Sequence, residues 1–333
     1  MELKTGLLGG GSWGTTVASL VARNTDTKIW ARNTDTVKEI NEQHTNEKYL
    51  PGAKLTKTLT ACDSIEETVQ DADVIVMGIP AQNFRSVLEE AKKYIRPWVP
   101  IVSLSKGLEK GSLLRMTEII ESAMPGHPAG VLSGPNLARE IIAGQAAASV
   151  IATVDDNISL ALQKIFQTGL FRVYTNEDVI GCELGGALKN IVAIAAGMGD
   201  GMGAGDNTRA AVITRGLAEL TRLGTKMGGR RRTFAGLAGM GDLVATCNST
   251  QSRNRHVGYQ LGKGRALDEI IKEMSMVAEG VKTAPVVMKL AEKYNVEMPI
   301  SYEVYRVVTG EASAKEAFRG LLRTESKSES DPG

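Results

Sequence analysis

Lys189 is the residue of this sequence best placed to move a proton. It lies in a proline-free run, residues 182–196, that reads as a long helix opened by the capping-type residues 176–178. Its neighbours at helical spacing are glycine, alanine and valine, so the side chain projects from an apolar, closely packed face. Burial on such a face disfavours the charged ammonium and suits a lysine to accept protons. For a lone lysine, the ordinary alternative is an apolar stem whose charged head reaches water, so other motifs must decide.

Three further charged residues lie at the end of a strand, in a turn and at a helix start. Lys106 follows a strand-like segment, residues 100–105, and ligands of an open parallel sheet gather where its strands end. Asp242 lies in a glycine-flanked turn, where the ordinary alternative is a helix cap. Arg253 lies in the helix start 252–254, Ser-Arg-Asn. Its N–H groups and guanidinium suit an anion such as phosphate, and simple capping is the alternative.

A G-x-G-x-x-G fingerprint at residues 9–14 predicts a dinucleotide site. A short buried strand precedes it and an amphipathic helical pattern follows it, which is the context that the fingerprint requires. Gly9 would permit the tight turn, Gly11 the approach of the backbone to a pyrophosphate, and Gly14 close packing of helix on strand. The phosphates would then lie at the helix N-terminus, where free N–H groups and the dipole favour negative charge.

The end of the second predicted strand, residues 27–31, bears on the choice of cofactor. An acid there usually holds the ribose 2′-hydroxyl of NAD, whereas an arginine accommodates the 2′-phosphate of NADP. This chain has Arg32 and then Asn33, and the nearest acid is Asp35. We therefore expect NADP or NAD as the cofactor, with NADPH preferred, although an arginine can also stack on adenine.

The elements that hold these residues follow two different patterns. Strand-like segments alternate with helical patterns in the first half, which predicts an α/β fold with a Rossmann-like, doubly wound, mostly parallel sheet. From residue 176 onward no convincing strand is found, so an all-α C-terminal domain is expected. The predicted strands cover residues 3–8, 27–31, 73–80, 100–105, 130–133, 146–154 and 170–175.

The domain boundary is expected just before the long helix. We place the dinucleotide-binding domain at residues 1–178, the helical substrate domain at 179–323 and a disordered polar tail at 324–333. A cleft between the two domains would hold Lys106 and Lys189 together. Two glycine-rich segments, 197–205 and 236–242, read as mobile loops that line this cleft rather than as parts of a core.

The composition restricts what the protein can bind. The chain has 333 residues, with 39 basic and 38 acidic side chains, so no global field attracts nucleic acid or an anionic membrane. Its three cysteines are widely spaced, which predicts neither a disulfide framework nor a metal site and fits a reducing compartment. The N-terminus does not read as a signal peptide, and no apolar run approaches the roughly 18 residues of a membrane span. We therefore expect a cytoplasmic protein.

Six motifs occur in an order that resembles a known family. They read GGGSWGT, SLSKG, SGP, ELGGALKN, GDNT and SRN, at residues 9–15, 103–107, 133–135, 183–190, 205–208 and 252–254. Together they resemble the NAD(P)-dependent glycerol-3-phosphate dehydrogenase family in its bacterial, soluble form, over residues 4–322. Asn136 departs from the pattern, because a serine or threonine is expected there, and this puts one polar contact in doubt.

The resemblance implies reversible hydride transfer between NAD(P)H and dihydroxyacetone phosphate, giving sn-glycerol 3-phosphate for glycerophospholipid synthesis. Lys189 would exchange the proton of the C2 hydroxyl, Lys106 would hold the oxygen that develops charge, and Asp242 would orient the catalytic lysine. The implied substrate contacts are Lys106, Gly134, Asn136, Lys189, Asp242, Ser252, Arg253 and Asn254. The implied cofactor contacts are Gly9, Gly11, Ser12, Trp13, Gly14, Arg32, Lys106, Ala138, Arg253, Val277 and Glu279. The expected partners also include a second copy of this chain, in a homodimer.

Two rival functions are open at this point. One is a two-domain dehydrogenase acting on a hydroxyacid or sugar acid, which would need a carboxylate clamp in place of the phosphate-suited helix start at Ser252. The other is a regulator that binds NADP and a partner without catalysis. Such a regulator would have little reason to keep Lys106, Lys189 and Asp242 together.

Overall fold

The computed structural model of the protein describes residues 3–274 and 276–322, which fall into two units. The first unit holds the chain up to Ser105 together with Arg115–Val179, and the second holds Lys106–Leu114 together with the chain from Ile180 onward. The tail predicted at residues 324–333 lies outside the described residues.

An eight-stranded sheet forms the centre of the first unit. Its strand order is β3-β2-β1-β4-β5-β6-β7-β8, and neighbouring strands are parallel except for the antiparallel pair β6 and β7. Near-continuous apolar runs such as Val74–Met77 are buried throughout, as expected for parallel strands that are covered on both faces. The strands are β1 Lys4–Leu8, β2 Asp26–Trp30, β3 Thr60–Cys62, β4 Val74–Met77, β5 Ile101–Ser103, β6 Ala129–Ser133, β7 Ala147–Thr153 and β8 Phe171–Asn176.

Seven helices accompany this sheet in the described part of the first unit, and the strand order reverses between β1 and β4. The mostly parallel, doubly wound sheet predicted from the sequence is confirmed. The strand β3 was not predicted, because it is three residues long and lies in a polar stretch without alternation. The helices are α1 Ser12–Val21, α2 Thr34–Gln43, α3 Ile65–Val69, α4 Ala81–Ala91, α5 Met116–Ala123, α6 Ala138–Ile142 and α7 Asp156–Phe166.

Helices alone make up the described part of the second unit, apart from turns and loops, as the sequence predicted for its C-terminal domain. They are α8 Val179–Gly201, α9 Asp206–Lys226, α10 Arg231–Phe234, α11 Asp242–Asn248, α12 Arg253–Gly262, α13 Leu267–Glu273, α14 Glu279–Tyr294, α15 Pro299–Val308 and α16 Ala314–Leu322. A π-helical turn, Leu237–Gly241, connects directly to α11. Its backbone hydrogen bonds close a wider ring than those of an α-helix.

The long helix α8 is the core element of the second unit. Among the described residues it is the one helix long and apolar enough to cross a membrane, which corrects the expectation that no apolar run reaches that length. However, 94% of its most apolar window is buried inside the protein. A core helix passes the same test of length and composition, and α8 is such a helix because its residues 181–199 are all buried.

Glycines bring α8 and α12 into backbone contact. A Cβ added at Gly197 would overlap the carbonyl oxygen of Arg255, and one added at Gly258 would overlap that of Ile194. Gly201 and Gly262 make the corresponding contacts one turn further along. The segment 197–205 was predicted to be a mobile loop, and this prediction is wrong for its first half. Glycine has no side chain, so the backbones of α8 and α12 can approach each other closely at these positions. The glycines therefore serve helix packing rather than a loop.

The segment Lys106–Leu114 also departs from the predicted boundary, which assigned it to the domain at residues 1–178. Leu108 is fully buried in the hydrophobic core of the second unit. The side chain of Asn190 on α8 donates a hydrogen bond of 2.9 Å from Nδ2 to the carbonyl oxygen of Lys106. Contacts with residues that are distant in sequence therefore determine where this segment packs, and no local sequence pattern predicts such contacts.

Candidate active site

The side chain of Lys189 projects from α8 into a buried polar cluster. Its Nζ lies 2.6 Å from Oδ1 of Asp242 and also donates to the hydroxyl of Thr246. The side chain is 7% exposed, so the alternative of a lysine whose head reaches water is excluded. The helix places this lysine inside the unit because every residue from Gly181 to Gly199 is buried, and the carboxylate of Asp242 compensates the ammonium.

Asp242 pairs with both lysines singled out in the sequence. Nζ of Lys106 lies 2.8 Å from Oδ2, so each carboxylate oxygen accepts from a different ammonium. The aspartate side chain is 2% exposed and that of Lys106 is 16% exposed. Lys106 and Lys189 therefore share one carboxylate, and all three residues belong to the second unit, whereas the predicted cleft between two domains stays a prediction.

The cluster carries two potential positive charges and one negative charge in a place with little water. Burial is the main cause that lowers the pKa of Lys106 to about 8; Asp242 opposes this shift, and the charge of Lys189 adds to it. A lysine of this kind changes its protonation near neutral pH, which an ordinary exposed lysine does not. The arrangement can therefore hold a developing negative charge and exchange a proton at the same place.

Thr246 is a member of the cluster that the sequence analysis missed. Its hydroxyl donates to the carbonyl oxygen of Asp242 at 2.6 Å and accepts from Nζ of Lys189. Asp242 and Thr246 are four residues apart at the start of α11, so they share one face of that helix. That spacing was available in the sequence, but a threonine in a helix is too common to signal a site by itself.

The turn that precedes Asp242 is ordered and closely packed. Residues 236–242 were predicted to be a mobile loop, whereas Leu237–Gly241 form the π-helical turn and Ala238 and Gly239 are buried. The prediction is wrong because glycine permits close packing as readily as mobility. π-helical turns are frequent at functional sites, where they change the direction of the residues that follow.

A chain of amide hydrogen bonds supports the backbone of Lys106. The N–H of Gly280 donates to Oδ1 of Asn254, Nδ2 of Asn254 donates to Oδ1 of Asn190, and Nδ2 of Asn190 donates to the carbonyl oxygen of Lys106, each at 2.9 Å. Asn254 and Asn190 are both buried. Asn254 was predicted to contact the substrate, and the structure gives its amide this internal role as well.

Each side chain at the helix start, residues 252–254, has a hydrogen-bond partner. The hydroxyl of Ser252 accepts from the N–H of Arg255 at 3.2 Å and so caps α12, which was the alternative prediction for this residue. Arg253 is exposed, and its Nη1 donates to the carbonyl oxygen of Val277 at 2.9 Å. Arg253 thus lies beside the segment that carries Val277 and Glu279, two of its partners in the predicted cofactor set.

In the first unit, the glycine loop has the geometry of a phosphate site. Gly9 has a positive φ of 125°, and Gly14 lies so close to Gly9 that an added Cβ would overlap its carbonyl oxygen. An added Cβ on Gly11 would meet no atom within 4 Å, so the backbone at the start of α1 is accessible to a ligand. Gly11 caps α1 without a side chain, and the first turn contains no acid. These features suit the pyrophosphate of a dinucleotide.

The sequence analysis also missed Asn46, which supports this loop. Its Nδ2 donates to the carbonyl oxygen of Gly10 at 3.0 Å and to the hydroxyl of Thr15 at 2.9 Å. The side chain is fully buried, so it fixes the loop against the first turn of α1. A polar residue 36 positions from Gly10 gives no local signal of such a contact.

Other predicted cofactor residues lie around the same end of the sheet. Trp13, in α1, packs edge-on against Phe171 at 6.4 Å between ring centroids. Ala138 begins α6, and its carbonyl oxygen is 3.4 Å from the hydroxyl of Thr16 in α1. Ser12 is the first residue of α1.

Arg32 is an exposed residue in the turn after β2. Asn33 has a separate role, because its side chain accepts from the N–H of Thr36 at 3.0 Å and caps α2.

Gly134 and Asn136 follow β6. Gly134 has a φ of 145°, and Asn136 Nδ2 donates to the hydroxyl of Ser149 at 3.2 Å. Oδ1 of Asn136 and the hydroxyl of Ser133 are buried without a partner among the described residues. Asn136 therefore takes a polar role at the position where a hydroxyl was expected, and it offers an acceptor.

Comparison with known proteins shows the family. The profile of the NAD-dependent glycerol-3-phosphate dehydrogenase N-terminus matches residues 4–159, and that of the C-terminus matches residues 178–319. The chain is 62% identical over 333 residues to a glycerol-3-phosphate dehydrogenase [NAD(P)+] of Sphingopyxis alaskensis, and the match covers 100% of both chains.

Solved structures agree with this result. The crystal structure of glycerol-3-phosphate dehydrogenase from Coxiella burnetii has a TM-score of 0.92 at 36% identity, and the match covers 97% of this chain and 99% of that one. A ketopantoate reductase from Ralstonia eutropha has a TM-score of 0.60 at 14% identity over 95% of this chain and 100% of that one, which shows a shared fold alone. The chain belongs to the NAD(P)-dependent glycerol-3-phosphate dehydrogenase family.

Proposed function

We propose that this protein is an oxidoreductase that reversibly transfers a hydride between NAD(P)H and dihydroxyacetone phosphate, giving sn-glycerol 3-phosphate. The observation that carries the proposal is the cluster in which Asp242 holds Lys106 and Lys189 at 2.8 and 2.6 Å. A carbonyl that is reduced needs a stabilised oxygen and a proton, and this cluster supplies a group for each.

Hydride transfer is the chemistry of the nicotinamide, and the residues of the chain handle the charge and the proton. In reduction, C2 of the substrate gains a hydride and its oxygen becomes an alkoxide. The Lys106 ammonium stabilises that oxygen, and Lys189 donates a proton to it and becomes a neutral amine. In oxidation the same steps run in reverse, with Lys189 accepting the proton of the C2 hydroxyl.

Asp242 and Thr246 orient the proton-transfer group. Oδ1 of Asp242 and the hydroxyl of Thr246 both contact Nζ of Lys189, so the direction of its third N–H bond is restricted. Lone lysine side chains have several rotatable bonds, and fixing them in advance lowers the entropy cost of reaching the transition state. The aspartate also compensates the charge of both ammonium groups.

The other end of the substrate is a phosphate, for which we propose the helix start at Ser252–Asn254. Arg253 is an exposed residue whose guanidinium suits phosphate oxygens, and the helix N-terminus favours negative charge. Gly134 and the Oδ1 acceptor of Asn136 are proposed as further substrate contacts. The hydroxyacid rival would need a carboxylate clamp and lacks support from the family match.

For the cofactor we propose the glycine loop, with NADPH preferred over NADH. Gly9, Gly11 and Gly14 suit the pyrophosphate, and Arg32 is exposed after β2, where an acid that would select NAD is missing. A cytoplasmic location, a role in glycerophospholipid synthesis and a homodimer belong to the same proposal.

The direct test is oxidation of NADPH, followed at 340 nm, on addition of dihydroxyacetone phosphate. We expect turnover with this substrate and little with unphosphorylated dihydroxyacetone, because the phosphate contributes binding energy that the transition state uses. A hydroxyacid or sugar-acid substrate that is turned over faster would contradict the proposal. Cofactor binding without turnover of any candidate ketone would favour the regulator.

Lys189→Arg should lower kcat by about 10²–10⁴, nearly as much as Lys189→Ala, because a guanidinium does not give up its proton at these pH values. Turnover is measured beside the Kd of NADPH, which should stay that of the wild type because the glycine loop is untouched. If the arginine variant keeps the wild-type kcat, another group exchanges the proton, and Lys106 is the next candidate.

The reductive kcat/KM should fall as pH rises through about 8. The pKa of Lys106 is about 8, so its ammonium is present below that pH and is lost above it, together with its stabilisation of the oxygen. Asp242→Asn should move the midpoint to lower pH, because the carboxylate raises the pKa of Lys106. A reductive profile that stays flat or rises above pH 8 would rule out this role for Lys106.

Arg32→Asp should weaken NADPH binding and improve NADH binding relative to the wild type. The substitution replaces a cation that suits the 2′-phosphate by an anion that repels it and can accept from the 2′-hydroxyl. Titration of both cofactors by fluorescence measures the ratio of the two Kd values. If both Kd values change by the same factor, Arg32 does not select the cofactor.

A further inference from the structure

The backbone of α8 touches the π-helical turn Leu237–Gly241 at Gly185. A Cβ added to Gly185 would lie 2.5 Å from the carbonyl oxygen of Ala238, 3.1 Å from its carbonyl carbon and 3.3 Å from Cα of Gly239. Real Cβ atoms do not approach so closely, and the atoms on the other side are backbone atoms that cannot rotate away. The helix and the turn are therefore in main-chain contact.

The turn cannot move away from this contact without disturbing a fixed support. An added Cβ on Gly239 would lie 2.5 Å from both Cα and the carbonyl carbon of Phe234, so the turn is folded tightly onto that residue. Phe234 is 1% exposed, and its ring lies against Gly224 of α9. The turn is thus packed between α8 on one side and the backbone of Phe234 on another.

The contact lies one helical turn before the buried cluster, both along α8 and along the segment that leads into α11. Gly185 precedes Lys189 by four residues on α8, and Ala238 precedes Asp242 by four residues. Residues four apart in an α-helix lie one above the other on the same face, and the π-helical turn adjusts the direction of the residue that follows it. The next contact beyond Gly185 and Ala238 is the pair of Lys189 and Asp242, with Nζ and Oδ1 2.6 Å apart.

We propose that Gly185 and the π-helical turn are positioning elements of the reaction, whose backbone contact sets the distance between Lys189 and Asp242. This inference rests on the proposed function, because it assigns the contact a role in proton transfer. Neither Gly185 nor the π-helical turn contacts the reacting atoms. They act by determining where α11 begins relative to α8, and this determines where the carboxylate of Asp242 lies between the two lysines.

The test compares Gly185→Ala with Gly199→Ala in the full chain. Both replace a glycine of α8 by the same residue and gain the same helix propensity. At Gly199 the added Cβ would lie 3.7 Å from the side chain of Ala204, which is an ordinary contact, so this variant controls for the chemical change alone. Each variant is assayed for thermal unfolding, NADPH binding, kcat, KM and the pH profile of reduction.

We expect Gly185→Ala to lower kcat by about 10²-fold, because the turn must shift by a fraction of an ångström to an ångström and displacements of that size misalign reacting groups. NADPH binding should be unchanged, and KM should change less than kcat. The isotope effect with NADPH deuterated at the transferred position should increase, because the chemical step becomes slower than product release. The midpoint of the reductive pH profile should move to lower pH, because a more distant Asp242 raises the pKa of Lys106 less.

A Gly185→Ala variant that folds and matches Gly199→Ala in kcat, isotope effect and pH profile would overturn the proposal. If Gly185→Ala does not give folded protein, Gly236→Ala decides by the same measurements. A Cβ added at Gly236 would lie 3.3 Å from the carbonyl oxygen of Thr233, so the start of the π-helical turn must shift by a few tenths of an ångström. A wild type without NADPH oxidation by dihydroxyacetone phosphate would instead contradict the proposed function, whatever the variants do.

Discussion

One carboxylate compensates two buried ammonium groups, and the arrangement of the second unit depends on it. Removing a partner from a buried ion pair leaves an uncompensated charge, which costs far more than an exposed pair contributes. Asp242 therefore has to be present for Lys106 and Lys189 to be buried in charged form. Because one negative charge serves two positive ones, the cluster keeps an excess of positive potential, and an oxygen that develops negative charge is the ligand that completes it.

The supports of this cluster come from backbone contacts and buried amides rather than from further charges. Lys106 belongs to a segment far from α8 in sequence, and the chain from Gly280 through Asn254 and Asn190 holds its carbonyl oxygen. Every link is a neutral hydrogen bond, so the support does not titrate near neutral pH. The charged part of the site can therefore change its protonation while its framework stays the same.

Sequence patterns predicted what each element is, but not which distant elements touch. The glycine fingerprint, the parallel strands and the long helix that carries Lys189 follow from local spacing, and the structure agrees with each. Thr246 and Asn46 were missed because a threonine or an asparagine gains its role only from partners that are remote in sequence. The first half of the segment 197–205 and the segment 236–242 were misjudged, because a glycine that is needed for a loop and one that is needed for close packing look the same in a sequence.

The glycine contact between α8 and α12 has a consequence for substrate choice. Lys189 extends from one of these helices and Arg253 begins the other, and the two helices are held together by main-chain contact at their glycines and by the hydrogen bond between Asn254 and Asn190. Under the proposed function, the reacting carbon and the phosphate are then held by two ends of one rigid body. Such a rigid body selects substrates by the number of bonds between their carbonyl and their phosphate. Changing the residues that line the site would alter how tightly a molecule binds, but not the length at which both ends are engaged.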